Sequence, residues 1–284
     1  MSERDDGVLW DITCPTEPGR VPGVAMAGFR DRGITPPSLA LIPHPAVTLL
    51  LVFGGRIAVA DATGSFVMGL GFGENLRALQ ADAFECLQVR LSPVVAHAVL
   101  GGAVTDLGDA VVPLDDLWGR ESARIGERLD DLSSWQDRFA WTDAWLAHRC
   151  AAAPRMAPEV AWAWRRIVAG RGTVRVEQLA AELGWSRKRL WSRFQSQVGL
   201  SPKRAAKLVR FDHAVHRLVA GQDAAGAAAD GGYFDQSHLY RDVVEFTGLT
   251  PANVVDEPFL AVDDIAWGWP ANRRKGSGQR IDRR

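Results

Sequence analysis

The feature that most restricts this chain is a signature written twice between residues 176 and 251. Each copy has a small-residue turn, a helix with basic and aromatic side chains, and a closure of the form Gly-hydrophobic-Ser/Thr-Pro. The first copy runs Leu179-Ala180-Ala181-Glu182-Leu183-Gly184-Trp185-Ser186, continues from Arg187 to Val198, and closes on Gly199-Leu200-Ser201-Pro202. The second runs Ala227-Ala228-Ala229-Asp230-Gly231-Gly232-Tyr233, continues from Asp235 to Thr247, and closes on Gly248-Leu249-Thr250-Pro251. Two helices meeting at a tight glycine turn form a helix-turn-helix, a unit that can place its second helix in the major groove of DNA.

A buried helix face recurs every three to four residues, and Val176, Leu179, Ala180 and Leu183 keep that spacing. Gly184 supplies a left-handed turn without a Cβ clash, and Ser186 can cap the next helix by accepting a backbone N–H. Leu190, Phe194 and Val198 then form one apolar stripe, which leaves Arg187, Lys188, Trp191, Ser192 and Gln195 on other faces. In the second copy Asp235 is the cap, Leu239, Val243 and Phe246 form the stripe, and Gln236, His238, Tyr240 and Arg241 face outward. Between the copies, Ser201 and Pro202 read as the cap and first-turn proline of a connecting helix. Its Leu208, Phe211, Val215 and Leu218 share one face down to Gly221. About eighteen residues at 1.5 Å each span roughly 27 Å.

These motifs closely resemble those of the AraC/XylS family of bacterial transcription regulators. The resemblance covers about the last third of the chain and rests on three segments. These are Gly232-Tyr233-Phe234-Asp235-Gln236-Ser237-His238-Leu239-Tyr240-Arg241, the paired Gly-Leu-Ser/Thr-Pro closures, and the stretch from Pro202 to Leu218 between them. It implies a DNA-binding regulator that inserts two recognition helices into successive major-groove segments, about 34 Å apart if both face one side of the duplex. Matched onto these positions, the base-facing residues are Lys188, Trp191 and Ser192 in the first helix and Gln236, His238, Tyr240 and Arg241 in the second. Arg187 and Arg189 lie nearer the phosphates. Whether the protein activates or represses, by recruiting or blocking RNA polymerase, depends on where its operator lies relative to the promoter.

Charge agrees with that placement although the whole chain does not, at net −1 with a pI of about 6.6. Residues 1–157 hold 13 Lys and Arg against 20 Asp and Glu, a net of −7, whereas residues 158–256 hold 14 against 10, a net of +4. Positive charge is concentrated where phosphates must be met, and an acidic partner domain keeps the protein off random DNA. No apolar run approaches a membrane span and the start is too charged for a signal peptide, so a cytoplasmic protein is expected. Cys14, Cys86 and Cys150 are odd in number and scattered, and are expected to be reduced structural thiols.

The second copy departs from the family pattern in two places. Its first helix, Ala224 to Asp230, contains Gly226 at a cost of about 1 kcal/mol relative to Ala, and Val243 stands where an aromatic residue is usual.

The amino-terminal region reads as an α+β unit. Short β-type runs at Ser38 to Ile42, Val47 to Phe53, Arg56 to Asp61, Phe66 to Gly71 and Glu85 to Leu91 are separated by Pro43/Pro45, Gly54-Gly55, Gly64 and Gly73, which predicts hairpins. These runs read as a small antiparallel sheet or β-barrel, for which the resemblance implies a cupin-like sensor domain, a fold that can enclose a small-molecule effector. Phe29, Phe53, Phe66, Met68 and Phe72 could line a pocket or form plain core. His44 and His97 lack the His-x-His pair and carboxylate of a metal-dependent cupin, so no metal, cofactor or catalytic residue is expected. Pro93 to Gly101, Leu114 to Trp118 and Ser133 to Cys150 follow, the last with a Trp135, Phe139, Thr142, Leu146 stripe and a second pair, Trp141 and Trp145. That pair packs on its own domain or, the sharper alternative, in a homodimer interface.

Pro154 and Pro158 bracket a linker, and a helix from Glu159 to Ala169 places Val160, Trp164, Ile167 and Val168 toward the core. The resulting division is a sensor and dimerisation domain at 1–155, an all-α DNA-binding domain with two helix-turn-helix motifs at 156–256, and a basic, disordered tail at 257–284 that turns irregular past Pro258. Two other functions compete with this one. A fused alkylation-repair enzyme needs a zinc-bound cysteine cluster that three scattered cysteines do not supply, and a regulator without a ligand would use its first domain only to dimerise or bind protein.

Overall fold

The computed structural model describes residues 9–33, 39–70, 77–102, 104, 107, 108 and 110–267. Strands β1 (Trp10–Thr13), β2 (Val24–Asp31), β3 (Leu39–Ala40), β4 (Val47–Val59), β5 (Ala62–Thr63), β6 (Phe66–Met68), β7 (Arg77–Leu91) and β8 (Val111–Pro113) form one antiparallel sheet. Its order is β1-β2-β7-β4-β6-β8, with β3 on β7 and β5 on β4. Helix α1 (Pro93–Leu100) follows β7, and α2 (Leu114–Trp118), α3 (Arg120–Asp131) and α4 (Trp135–Ala152) follow β8. The rest is helical: α5 (Pro158–Ala169), α6 (Val176–Glu182), α7 (Arg187–Val198), α8 (Pro202–Val219), α9 (Ala224–Asp230), α10 (Gln236–Thr247), α11 (Pro251–Val254) and α12 (Pro258–Ala266). No described helix is long and apolar enough to cross a membrane.

Both faces of the sheet are covered, and the period-two alternation of each strand sorts its side chains between them. Leu49 and Leu51 of β4, Val67 of β6 and Leu87, Val89 and Leu91 of β7 join α1, α3 and α4 in one apolar cluster that continues into the carboxyl-terminal helices. Their neighbours Leu50, Phe66, Met68, Phe84 and Cys86 enter a second cluster on the opposite side with Trp10, Ala27 and Phe29. Helix α4 docks through Trp135, whose ring packs directly on Gly28 of β2. A Cβ on Gly28 would stand 2.3 Å from that ring, so only glycine admits the helix this close. Arg138, one turn on, is buried with its Nε donating to the Leu129 carbonyl (2.8 Å) and its guanidinium 4.4 Å from the Phe53 ring.

Several elements differ from expectation. Gly54-Gly55 does not turn the chain. β4 runs through it and stays paired with β7 from Val47↔Leu91 to Val59↔Ala78, absorbing the glycines as register shifts at Val52/Gly54 and Gly54/Arg56. Gly73 and Phe72 lie outside the described residues. β1, β2, β5 and β8 were not anticipated, nor was α3, whose composition is mostly charged and which commits only Ile125, Leu129 and Ser122 to the interior. Val168 is 43% exposed rather than in the core, while Val160, Trp164 and Ile167 are buried as expected. Trp141 and Trp145 stack at 6.2 Å, Trp145 meets Trp118 edge-on at 5.4 Å, and the Arg149 guanidinium lies 4.4 Å from the Trp118 ring and 5.4 Å from that of Trp145.

The largest correction is past Pro258, where an irregular tail was expected. Residues Pro258–Ala266 instead form α12, which packs against β1 and β3 and buries Val262 and Ala266 in the second sheet cluster. Phe29, Phe66 and Met68, the pocket candidates, lie in that same cluster, whereas Phe53 packs against Trp135 on α4. The basic run from residue 268 onward lies outside the described residues.

Candidate nucleic-acid interface

Each helix-turn-helix is built by local rules that the doubled signature supplies. In the first, α6 buries Leu179 and Ala180, and the chain turns at Gly184 with φ +64°. Ser186 Oγ then accepts the Arg189 N–H (3.1 Å) and starts α7. α7 buries Leu190, Phe194 and Val198 along one stripe. In the second, Asp223 caps α9 by accepting the Gly226 N–H (2.8 Å), the chain turns at Gly232 with φ +72°, and Asp235 accepts the His238 N–H (2.7 Å) to start α10. α10 buries Leu239, Val243 and Phe246.

The repeated closure is a stop-and-restart device. Gly199 and Gly248 end α7 and α10 in the left-handed region, at φ 84° and 68°, where a Cβ would be strained. Two residues later Ser201 and Thr250 cap the next helix by accepting the N–H of Arg204 (3.2 Å) and Asn253 (3.3 Å), and the prolines fill first-turn positions that need no donor. Helix α8, 18 residues long, therefore starts directly after α7, and its buried Leu208, Phe211 and Val215 pack α5, α7, α9 and α10 around it.

The side chains expected to read DNA fall into distinct settings. Arg187, Lys188, Arg189, Trp191 and Ser192 are all exposed on α7, Trp191 at 54%. Arg187 pairs with Glu177 (3.3 Å) and the Arg189 guanidinium stacks 4.4 Å from the Trp185 ring, so both are held at the start of the helix. On α10, Gln236, Tyr240 and Arg241 are exposed, with the Arg241 Nε donating to the Ser237 carbonyl (3.3 Å). Lys188 and Arg241 have no ion-pair partner among the described residues. His238 is set apart from this group: it is half-buried, its ring edge-on to Tyr233 at 5.2 Å and 3.9 Å from Asp242.

Sequence reading missed two groups of residues here. Arg193 within α7 and Lys203 in the first turn of α8 add exposed cations, and Phe234, 94% exposed, occupies a turn one residue longer than its counterpart in the first copy. The second group is internal. Asp242, 2% exposed, sits between Lys207 (3.2 Å) and Arg210 (3.0 Å) of α8, and Lys207 also reaches Glu245. Arg217 of α8 likewise holds Asp230 at the end of α9. A face count assigns Asp242 to the recognition surface or to solvent as readily as to an ion pair with a helix thirty residues earlier. Only the packing of α10 on α8 brings these charges together.

Burial also sets the titration of this region. His213 is pushed down to about 4 by desolvation and by Arg171 and Arg217 beside it, so it is neutral at physiological pH. The Tyr233 hydroxyl is pushed up by burial and by Asp242. Gly226, a liability by helix propensity, has a local reason: a Cβ there would stand 2.7 Å from the Asp223 carboxylate that caps the helix.

Residues 179–256 match the family model described as a helix-turn-helix domain, a span that contains both copies. No curated protein matches the chain. Among solved structures it is similar to the C-terminal domain of AraT, a response regulator from Geobacillus stearothermophilus, at 20% identity over 36% of this chain and 87% of that one, with a TM-score of 0.34. It is also similar to ToxT from Vibrio cholerae, at 11% identity over 84% and 98% of the two chains and a TM-score of 0.46. The AraC-like transcriptional activator CuxR aligns at 17% identity over 79% and 90%, with a TM-score of 0.27.

Proposed function

We propose that this chain, a DNA-binding transcription regulator of the AraC/XylS family, reads its operator with α7 and α10 acting as a pair in successive major-groove segments. The observation that carries this reading is the equivalence of the two helices. Each is capped by a side chain at its start, closed by a left-handed glycine at its end and packed on the same 18-residue α8. A rigid helix of that length spans roughly 27 Å, the scale needed to set two heads near one helical turn of DNA apart.

In this reading Lys188, Trp191 and Ser192 of α7 and Gln236, Tyr240 and Arg241 of α10 face bases, while Arg187 and Arg189 face phosphates. Arg and Lys donate to guanine O6 and N7, and Gln can pair with adenine, each contact discriminating by about 1–3 kcal/mol. His238, turned toward Tyr233 and Asp242, serves by setting the pitch of α10 more than by reaching a base. The sensor region is assigned to residues 1–155 and the reading region to 156–256. A small-molecule effector or partner protein acting on the first would reach the second through α1, which packs against α7. Homodimerisation through the stacked Trp141 and Trp145 of α4, and contact with RNA polymerase at the promoter, complete the proposal.

Selection of bound sites from random duplexes, followed by footprinting, tests it. The expected result is two protected segments about one helical turn apart. Lys188→Ala should relax base preference in one segment and Arg241→Ala in the other, each by roughly 10- to 100-fold in discrimination. A single protected segment, or unchanged preference in both variants at every salt concentration, rejects the paired reading.

A further inference from the structure

Three elements that are distant in sequence meet at one buried carboxylate. Asp263 of α12 accepts from Arg90 of β7 (Nη2 to Oδ1, 2.7 Å) and from His216 near the end of α8 (Nε2 to Oδ2, 3.1 Å). His216 is oriented from its other side, where Nδ1 donates to the Asp212 carbonyl (2.7 Å). Asp263, Asp212 and the nearby His44 are buried, and Arg90 and His216 are mostly covered. Around this centre α12 adds its own attachments to the sheet. Val262 and Ala266 are buried in the second cluster, the Arg90 guanidinium lies 4.2 Å from the Trp267 ring, and the Cys14 thiol donates to the carbonyls of Ile265 and Ala266 (3.5 Å each).

We propose that α12 is a clasp that holds the acidic sheet half against the basic helical half and so restrains DNA binding, with Asp263 as the residue through which the two halves are coupled. A carboxylate leaves water at a large cost unless it is paired and hydrogen-bonded. Asp263 is satisfied by one cation from each half, so separating the halves would strip it of a partner. Burial alone would lower the His216 value and raise that of Asp263, yet the pairing overrides both: His216 is raised to about 9 and Asp263 is lowered to about 2. Both therefore carry charge at neutral pH.

The helical half is tied to the sheet at a second place. α1 packs against the first recognition helix, and the Ala157 N–H donates to Gln197 of that helix (2.8 Å). With α12 on the spacer helix and α1 on α7, the half carrying −7 is kept beside the half carrying +4. At moderate salt the screening length is about 10 Å, so an acidic neighbour at contact distance reduces the attraction of the reading heads for phosphates. Releasing the clasp allows the acidic half to move away.

The DNA part of this inference rests on the reading proposed above, and the test separates the two. Amide hydrogen exchange is measured on the full chain for wild type, Asp263→Asn, Arg90→Met and the double variant, and each is titrated with a labelled random-sequence duplex at low and high salt. Both single variants should speed exchange in α12 and in the last turn of α8 by at least about tenfold, and the double variant should add little, because both remove one shared interaction. Affinity for the random duplex should rise about three- to tenfold at low salt and converge on wild type at high salt. Unchanged protection of α12, or effects of the two variants that simply add, would overturn the clasp. A loosened α12 with equal or weaker duplex binding would overturn the restraint. If neither wild type nor any released variant binds the duplex at low salt, the regulator reading fails while the exchange data still judge the clasp. Should Asp263→Asn not fold, His216→Gln removes the same contact from the other half and takes its place.

Discussion

The two helix-turn-helix units reach the same geometry with different materials. In the first, Leu179, Leu190, Phe194 and Val198 are buried between α6, α7 and α8, and the ion pairs near it, such as Arg187–Glu177, are exposed. In the second, α9 offers only Ala227 and Ala228 to the interior, and the deficit is met by charge: Asp242 between Lys207 and Arg210, Asp230 on Arg217. Apolar burial is non-directional and tolerates small shifts, whereas an ion pair needs its geometry kept. One turn of helix can therefore be positioned either by filling volume or by matching charges across a spacer.

Substitutions can break this contrast at its two ends. The largest effect is expected from Phe194→Ala in the first unit, about 3–5 kcal/mol in denaturant unfolding, since a fully buried ring leaves a cavity. A loss under 1 kcal/mol would show that the first unit is not held by volume. Next comes Asp242→Ala, expected at about 3 kcal/mol because Lys207 and Arg210 lose the carboxylate between them. Restoring a comparable stability by then replacing Lys207 and Arg210 with Met would mark the cost as that of unpaired charge, and failure to restore it would count against the ionic account.

Smaller effects sharpen the comparison. Ser186→Ala and Asp235→Ala remove equivalent caps and should each cost about 1 kcal/mol, read from thermal unfolding. Gly226→Ala should give none of the roughly 1 kcal/mol that propensity promises, because the new methyl displaces the capping Asp223 carboxylate. A clear gain in stability there would mean the cap moves aside freely.

The clasp has its own pH window. The His216 value, about 9 when folded against 6.5 when free, lies above its unfolded one, so its contribution is complete below about 6.5 and is lost as pH rises through about 9. Asp263, lowered to about 2 from 3.8, contributes fully above about 4 and loses its part as pH falls toward 2. Arg90 is paired with Asp263, and burial holds nearby His44 well below its ordinary value. Asp212 runs the other way: burial pushes it up to about 6, so it costs stability progressively as pH rises from about 4 to about 6 and nothing further above that. Exchange protection of α12, corrected for intrinsic rates, should therefore be greatest near pH 4, fall toward pH 6 as Asp212 ionises, and fall again as pH rises from about 6.5 through about 9 with His216. Protection that is flat from pH 5 to 10 would contradict the assignment of His216 as a charged partner.

How legible the molecule was varied with how local its causes are. The caps at Ser186, Ser201 and Asp235, the glycine stops, and the stripes of α7, α8 and α10 depend on residues within one or two turns, and their spacing predicted them. β2 and α3 escaped because each needs the rest of the sheet to bury it. β2 carries Gly28 where Trp135 must lie, and α3 commits few apolar residues. Gly54-Gly55 misled for the same reason, since a long partner strand can carry two glycines through as bulges. At the interface the outward positions on α7 were legible, but the inward turn of His238 required Tyr233 and Asp242 to be in place.

By itself the sequence determined that residues 176–251 form two capped helix pairs on a stiff spacer with cations outward, because helix periodicity, capping and left-handed glycines act over a few residues. Tertiary structure alone decided how those pairs are held and what touches them. Asp242 meets α8, and a segment expected to be loose becomes α12 with Asp263 between Arg90 and His216. A buried charge is stable only opposite its partners, and nothing in the local chain says where a partner 173 residues away will stand.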